Sequence, residues 1–293
     1  MLCVACHDVN DSLTVCFTGD VLLDRGVRTT IEKAGVSSIF ENVASLFLSS
    51  DAVVINLECP ATDTISPLNK QFIFRANPEW LPVLHRQGIT HAAMANNHIM
   101  DQGYGGITDT YNHLKTSEIT PIGYGDTQHE ACTPCIIEKN NIKVALFNSL
   151  LLPVENWICL AQNTGICQAP INQLCERIEA YKGDHPDHWV VVMLHWGVEF
   201  QKIPTPLQRK NARQLIDAGA DAIVGHHPHV IQNEEIYNGK PIFFSLGNFV
   251  FDQTSDDRST GLAISIKFKR SALTFEKHFV KINRGIPVPI IRS

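Results

Sequence analysis

The sequence predicts an α/β fold in which a mixed sheet system is covered by helices. Up to residue 220, short apolar runs bounded by turn-forming residues alternate with stretches of helical apolar spacing. Beyond residue 221, strand follows strand, with a hairpin signal between two of them. A third observation concerns how the apolar runs end. TVCFTG leads into Asp20, AVVINL into Glu58, and HAAMAN into Asn97 and His98. VVVML then leads into His195, and DAIVG into His226, His227, Pro228 and His229. Open α/β sheets gather their chemistry at the carboxyl ends of strands. These ends therefore offer one rim a nitrogen and oxygen ligand set without thiolates, suited to a hydrolytic Zn, Mn or Fe site.

In chain order, a strand is expected at 13–18, then helical spacing over 27–34 and 38–49. A strand at 52–57 precedes a loop containing Pro and Asn. Residues 79–87 read as a helix with Asn77-Pro78 as its start signal. A strand at 90–95 leads into Asn96-Asn97-His98 and a helix near 106–117. Strands follow at 135–138 and 142–147, and 150–168 reads as irregular. Helices at 171–181 and 206–218 flank a strand at 189–194. The last part holds strands at 221–225, 230–237, 241–245, 262–268 and 273–282. Between two of these, Tyr237-Asn238-Gly239-Lys240 fits a type I′ turn.

The candidate ligands run from Asp20 to His229, so one site draws on most of the chain. That argues for a single domain over 1–293, with a motif-bearing core of about 14–282. A content of 44% hydrophobic and 18% charged residues excludes a disordered chain. No apolar run reaches the roughly 20 residues of a membrane helix. The net charge of −6, without a Lys/Arg-rich stretch, argues against nucleic-acid binding. Nine scattered cysteines form no disulfide framework, so reduced thiols in a cytoplasm-like compartment are expected. Cys132-Thr133-Pro134-Cys135 reads as a loop with two unlinked thiols. Cys3 to His7 fits a haem-attachment spacing, but the expected lack of an export signal argues against haem.

Three imidazoles within Gly225-His226-His227-Pro228-His229 are costly to place for packing alone, and imidazole is the commonest protein metal ligand. Pro228 fixes its own φ and restricts His227, which points to a set geometry for His227 and His229. His226 is left open as a third ligand, a partner of the ligands, a substrate contact or a packing residue. In Asn96-Asn97-His98-Ile99-Met100-Asp101, Asn97 can lend an amide oxygen to a metal. Asp101, three residues past His98, can orient its imidazole; the alternative is an Asn-rich turn with Asp101 capping the next helix.

Six motifs together carry a family resemblance: GDVLLDR (19–25), NLECP (56–60), ANNHIMDQGYGG (95–106), HWGVEF (195–200), DAGADAIVGHHPHVIQ (217–232) and FFSLGNFVFDQ (243–253). They resemble the CapA family of poly-γ-glutamate capsule-synthesis proteins, within the calcineurin-like metallophosphoesterase superfamily. The resemblance implies a four-layer α/β/β/α sandwich around two mixed central sheets. It also implies two divalent transition metals. Asp20 and His229 would serve the first, Asn97, His195 and His227 the second, with Glu58 as the bridge and His98, oriented by Asp101, as leaving-group acid. This chain departs from the superfamily pattern in two places. Leu22 stands where the Asp-x-His motif has its histidine, and Glu58 matches the usual bridging Asp. The first site is therefore expected to be weaker, or completed by Asp24 or water. The family's usual anchor or signal is also not evident.

The expectation is a metal-dependent hydrolase acting on a phosphoester or a γ-glutamyl-type bond. Its substrate would be an anionic small molecule or polyglutamate, met by Arg25, with capsule-synthesis proteins as partners. The competing expectation is a non-catalytic accessory protein of a poly-γ-glutamate synthase or exporter.

Overall fold

The computed structural model describes residues 11–152 and 165–291. Cys3, Cys6, His7 and Cys159 lie outside the described residues. The chain begins with β1 (Leu13–Val21), α1 (Arg25–Ala34), α2 (Ala44–Leu48), β2 (Ala52–Leu57), α3 (Leu81–Arg86), β3 (His91–Ala93) and α4 (Gly103–Thr116). It continues through β4 (Thr120–Ile122), β5 (Tyr124–Gly125), α5 (Gln128–Ala131), β6 (Cys135–Lys139), β7 (Ile142–Leu151) and β8 (Gly165–Ile166). Next come α6 (Ile171–Asp184), β9 (Trp189–Trp196), α7 (Pro206–Asp217), β10 (Ala222–His226), β11 (Glu235–Tyr237) and β12 (Lys240–Phe243). Last are β13 (Asn248–Val250), β14 (Thr260–Phe268), β15 (Leu273–Asn283) and β16 (Ile286–Pro289).

Two mixed sheets result. The first runs β16-β15-β14-β1-β2-β3-β4, with β13 also pairing β1. Strands β1 to β4 are parallel to one another, while β14 to β16 are antiparallel. The second runs β11-β12-β10-β9-β7-β6, parallel at its centre with antiparallel edges. Period-two alternation sorts side chains to the faces. Leu13, Val15 and Phe17 of β1 meet Val191 and Met193 of β9 and Val224 of β10 between the sheets. On the outer face of the first sheet, Val53 and Ile55 pack under Val27, Leu84 and Ile107 of the helices. On the other side, Val190 and Val192 pack under Leu174, Ile178 and Leu215. The order is thus helix, sheet, sheet, helix, the four layers expected.

Several local expectations differ. Residues 38–49 are not one helix. Two 3₁₀ turns, Val36–Ile39 and Glu41–Val43, precede the short α2. Ser38 there bonds the Gly35 carbonyl through its hydroxyl, a local alternative to helical pairing. Of the strand expected at 230–237, only Glu235–Tyr237 pairs in a ladder, and Ile231 forms a single bridge to Leu246. The hairpin turn does form, with Asn238 and Gly239 both at positive φ. Cys132 is not an unlinked thiol: it is disulfide-bonded to Cys167, while Cys135 is free. The partner stands 35 residues along the chain beside β8, a pairing that spacing does not reveal. Among the described residues no helix is long and apolar enough to cross a membrane.

Candidate metal centre

Asp20 is the next-to-last residue of β1, Glu58 follows β2, Asn97 follows β3, His195 lies in β9, and His227 and His229 follow β10. The two sheets therefore bring their carboxyl ends to one place, as the strand-end reading requires. Close backbone approach shapes that rim. A Cβ on Gly19 would sit 2.1 Å from the Gly247 carbonyl oxygen, and one on Gly225 would sit 2.0 Å from that of Phe244. Only glycine allows Asp20 and His226 to follow such crossings.

Asp20, Glu58 and His229 each offer a ligand atom, all within 4.8 Å of one another and all buried. His229 Nδ1 lies 3.2 Å from Asp20 Oδ2, and its Nε2 lies 3.6 Å from Glu58 Oε1. On the other side of Glu58, His195 Nε2 is 3.8 Å from Oε1 and 2.9 Å from Asn97 Oδ1. The His227 ring centroid is 4.9 Å from that of His195. Both Glu58 oxygens and His227 Nδ1 are buried without a hydrogen-bond partner. Buried polar atoms are seldom left so, and a cation held by this oxygen and nitrogen set would satisfy them. The residues present fit a divalent metal.

His227 and His229 reach this position at a backbone cost. His227 has φ 98 and His229 φ 57, whereas a residue before proline ordinarily stays extended. Left-handed non-glycine residues cost about 1–3 kcal/mol each and cluster at functional sites. The turn is held by Phe200 N–H donating to the Pro228 carbonyl at 2.8 Å.

Electrostatics agree with the donor set. Burial, then the Asp20 charge, pushes the Glu58 carboxyl well above the carboxylate range. Burial also raises Asp20, but the His229 hydrogen bond and charge outweigh it and leave that carboxyl low. Burial alone would strip His229 of its proton, yet Glu58 and Asp20 bring it up to about 9. Burial and neighbouring imidazoles push His195 well down and His227 to about 3. Two buried carboxyl groups, one held low and one high, are thus set against one protonatable ring. A divalent cation restores that balance and leaves neutral imidazoles as donors.

His98 Nδ1 bonds Asp101 Oδ2 at 2.8 Å, the orienting pair that the three-residue spacing suggested. Asp101 does not cap α4: its N-cap is Gln102, without a side-chain cap bond. Burial lowers His98, opposed by Asp101. It directly follows Asn97, whose Oδ1 meets His195, and so stands beside the ligand cluster.

The profile of the bacterial capsule synthesis protein family, PGA_cap, matches residues 14–253. The chain belongs to this family. It is 33% identical to the PGA biosynthesis protein CapA of Bacillus subtilis (strain 168) over 96% of this chain and 74% of that protein. It is 32% identical to the capsule biosynthesis protein CapA of Bacillus anthracis over 84% of this chain. The match spans 62% of that relative, less than two thirds of its length. Among solved structures, the calcineurin-like phosphoesterase YfkN from Bacillus subtilis has a TM-score of 0.56 at 15% identity. That likeness, over 91% of this chain and 90% of the other, is one of fold.

In this PGA_cap chain, Leu22 is a fully buried core residue. Both Asp24 oxygens are engaged by other groups of the chain. Oδ1 takes Arg25 N–H and Arg28 Nε, and Oδ2 takes Arg75 N–H. Arg25 stays partly exposed, paired with Asp252 at 3.1 Å and 5.8 Å from the Phe74 ring. His226 is buried, and its Nε2 meets the Thr18 carbonyl at 3.0 Å, tying the second sheet to the first.

Four positioning residues escaped the sequence reading. Asn56 bonds Asp20 Oδ1 at 2.9 Å and contacts His195 Nδ1 at 3.4 Å. Asn248 Oδ1 meets His229 Nδ1 at 2.9 Å, which leaves Nε2 facing Glu58. Asn96 accepts the His98 and Ile99 N–H groups and shapes that turn. Lys70 bonds Asp101 Oδ1 at 2.8 Å. A signal existed for Asn56 and Asn248, each a lone amide inside an apolar run. Lys70 offered none, since its loop has no period.

Proposed function

We propose that this chain is a metal-dependent hydrolase of poly-γ-glutamate or capsule metabolism. It acts on an anionic substrate at a phosphoester or γ-glutamyl-type bond. The single observation that carries the reading is the orphaned, fully buried Glu58 carboxylate among imidazoles at converging strand ends, with a His–Asp pair beside it. The substrate class comes from the relatives named for capsule and PGA biosynthesis.

Asp20, Glu58 and His229 would hold a divalent metal, and Asn97, His195 and His227, beside Glu58, would hold a second. Mn, Zn and Fe suit the donors. When bound, such metals supply Lewis acidity that lowers the pKa of a water toward about 7 and offsets developing negative charge. Arg25 meets the anionic part of the substrate at the rim. His98 keeps its Nδ1 proton on Asp101 and presents Nε2 to the reacting bond. The water gives one proton to solvent as its oxygen bonds to phosphorus or carbonyl carbon, the bond to the departing oxygen or nitrogen breaks, His98 Nε2 hands its proton to that atom, and the ring is reprotonated from solvent. An anionic substrate beside the ring offsets the burial that lowers His98. We also propose one functional unit over 1–293. The Cys132–Cys167 disulfide supports an oxidising compartment over the cytoplasm-like one expected from composition.

A second reading is an accessory protein without catalysis; a relative in Mycobacterium tuberculosis is named a probable polyglutamine synthesis accessory protein. His98→Ala separates the two. On alkyl phosphate and γ-glutamyl amide substrates, turnover should fall about 10²–10⁴-fold with metal retained. The loss should shrink for a nitrophenyl ester, whose leaving group needs no proton. Unchanged turnover on poor leaving groups refutes the hydrolytic role of His98, and no turnover by the metal-loaded parent favours the accessory reading.

A further inference from the structure

Lys70 lies in the loop between β2 and α3, yet its side chain is only 1% exposed. Its ammonium donates to Asp101 Oδ1 at 2.8 Å and to the Asn97 carbonyl at 2.7 Å. The other Asp101 oxygen receives the His98 Nδ1 contact and the Phe74 N–H, both at 2.8 Å. The Phe74 ring centroid sits 4.3 Å from that of His98. Leu68 N–H closes the arrangement on the Asp101 carbonyl at 3.0 Å. Residues 68–74 thus grip Asp101 from several sides, and one cation is bonded both to the carboxylate that orients His98 and to the main chain of Asn97.

Burying an ammonium is expensive, and an apolar side chain of similar volume would cost less wherever only packing were needed. A carboxylate accepting on both oxygens is fixed in rotation, and the imidazole it holds is fixed with it. Asn97 and His98 are adjacent, so any slip of this turn would move a candidate ligand and the acid together.

We propose that Lys70 is a positioning residue for proton transfer: it acts through Asp101 to hold His98 in register with Asn97. This rests on the reading of His98 as the leaving-group acid. Lys70 bonds the carboxylate that orients the acid, so its effect belongs in kcat and not in substrate binding.

The test uses the full chain loaded with Mn²⁺, with glycerol phosphate as the poor leaving group and 4-nitrophenyl phosphate as the good one. Lys70→Met, Asp101→Asn, the double variant and His98→Ala are compared at equal folded protein and measured metal content. Lys70→Met should lower kcat on glycerol phosphate about tenfold to a hundredfold, the usual worth of an outer partner. KM should stay within about twofold, and the loss on 4-nitrophenyl phosphate should be much smaller. The double variant should be no slower than Asp101→Asn, because Lys70 acts through that carboxylate. Equal losses on both substrates, or additive losses in the double variant, overturn the proposal. If Lys70→Met leaves an unpaired buried carboxylate and does not fold, the double variant removes both charges, and its kcat against Asp101→Asn decides alone. Loss in His98→Ala without loss in Lys70→Met defeats this proposal only. No loss in His98→Ala defeats the parent reading as well.

Discussion

Replacing Glu58 by methionine should make the metal-free protein more stable and the metal-loaded protein less so. Both Glu58 oxygens are buried and unpaired, and burial and Asp20 push its carboxyl upward. Leaving a buried polar group unsatisfied costs about 1–3 kcal/mol, and a shape-matched apolar replacement removes that cost. Asp20 and His229 stay behind as a paired carboxylate and imidazole 3.2 Å apart, so the change strands no new charge. Metal-free Glu58→Met should therefore gain about 1–3 kcal/mol. At roughly 2–4 °C per kcal/mol for a chain somewhat smaller than this one, its Tm should rise by several degrees in chelator. Metal reverses the order. Ligand present at about 1,000 times its Kd stabilises the parent by about 4 kcal/mol, and the variant, lacking the carboxylate common to both sides of the cluster, forgoes most of that. The assay is thermal unfolding of both proteins in EDTA and in excess Mn²⁺. A variant that melts below the parent in EDTA, yet gains as much from Mn²⁺, would refute the reasoning.

Three further outcomes follow from the same geometry. His229, raised to about 9, carries a proton in metal-free protein at neutral pH, so metal must displace it. Affinity measured by calorimetry should then climb at least about tenfold per pH unit between 7 and 9; pH-independent affinity over that range contradicts this. In the metal-free fold the raised pKa gives a contribution present in full below about 6.5 and lost as pH rises through about 9. His229→Ala and His227→Ala should lose metal, whereas His226→Ala, tied to Thr18 O, should keep it and lose stability by about 2–4 kcal/mol, read by metal content and denaturation of the same samples. Cys167→Ser should free Cys132 to thiol labelling and cost about 2–4 kcal/mol, with turnover per folded molecule unchanged.

The chemistry-bearing strand ends were legible because parallel strands buried on both faces read as unbroken apolar runs. In β1, β2, β9 and β10 such a run meets a polar residue within one position of the strand's last residue. The His98–Asp101 pair was legible as local spacing. What stayed hidden depends on long-range approach. β4 and β13, three residues each, are strands only because β3 and β1 lie beside them. Cys132 finds Cys167 through the fold, and Lys70 reaches Asp101 from a loop with no period of its own. The positive φ of His227 ran against the preference of a residue before proline, because the strand-end contacts outweigh that local bias.

The most direct test of the metal centre is elemental analysis of protein purified without chelator, followed by stripping and Mn²⁺ titration with phosphoester and γ-glutamyl turnover monitored. One to two equivalents of divalent transition metal per chain are expected, lost with activity on stripping and restored with it on titration. Protein that carries no metal and takes up none, with Glu58→Ala indistinguishable from the parent, would contradict it.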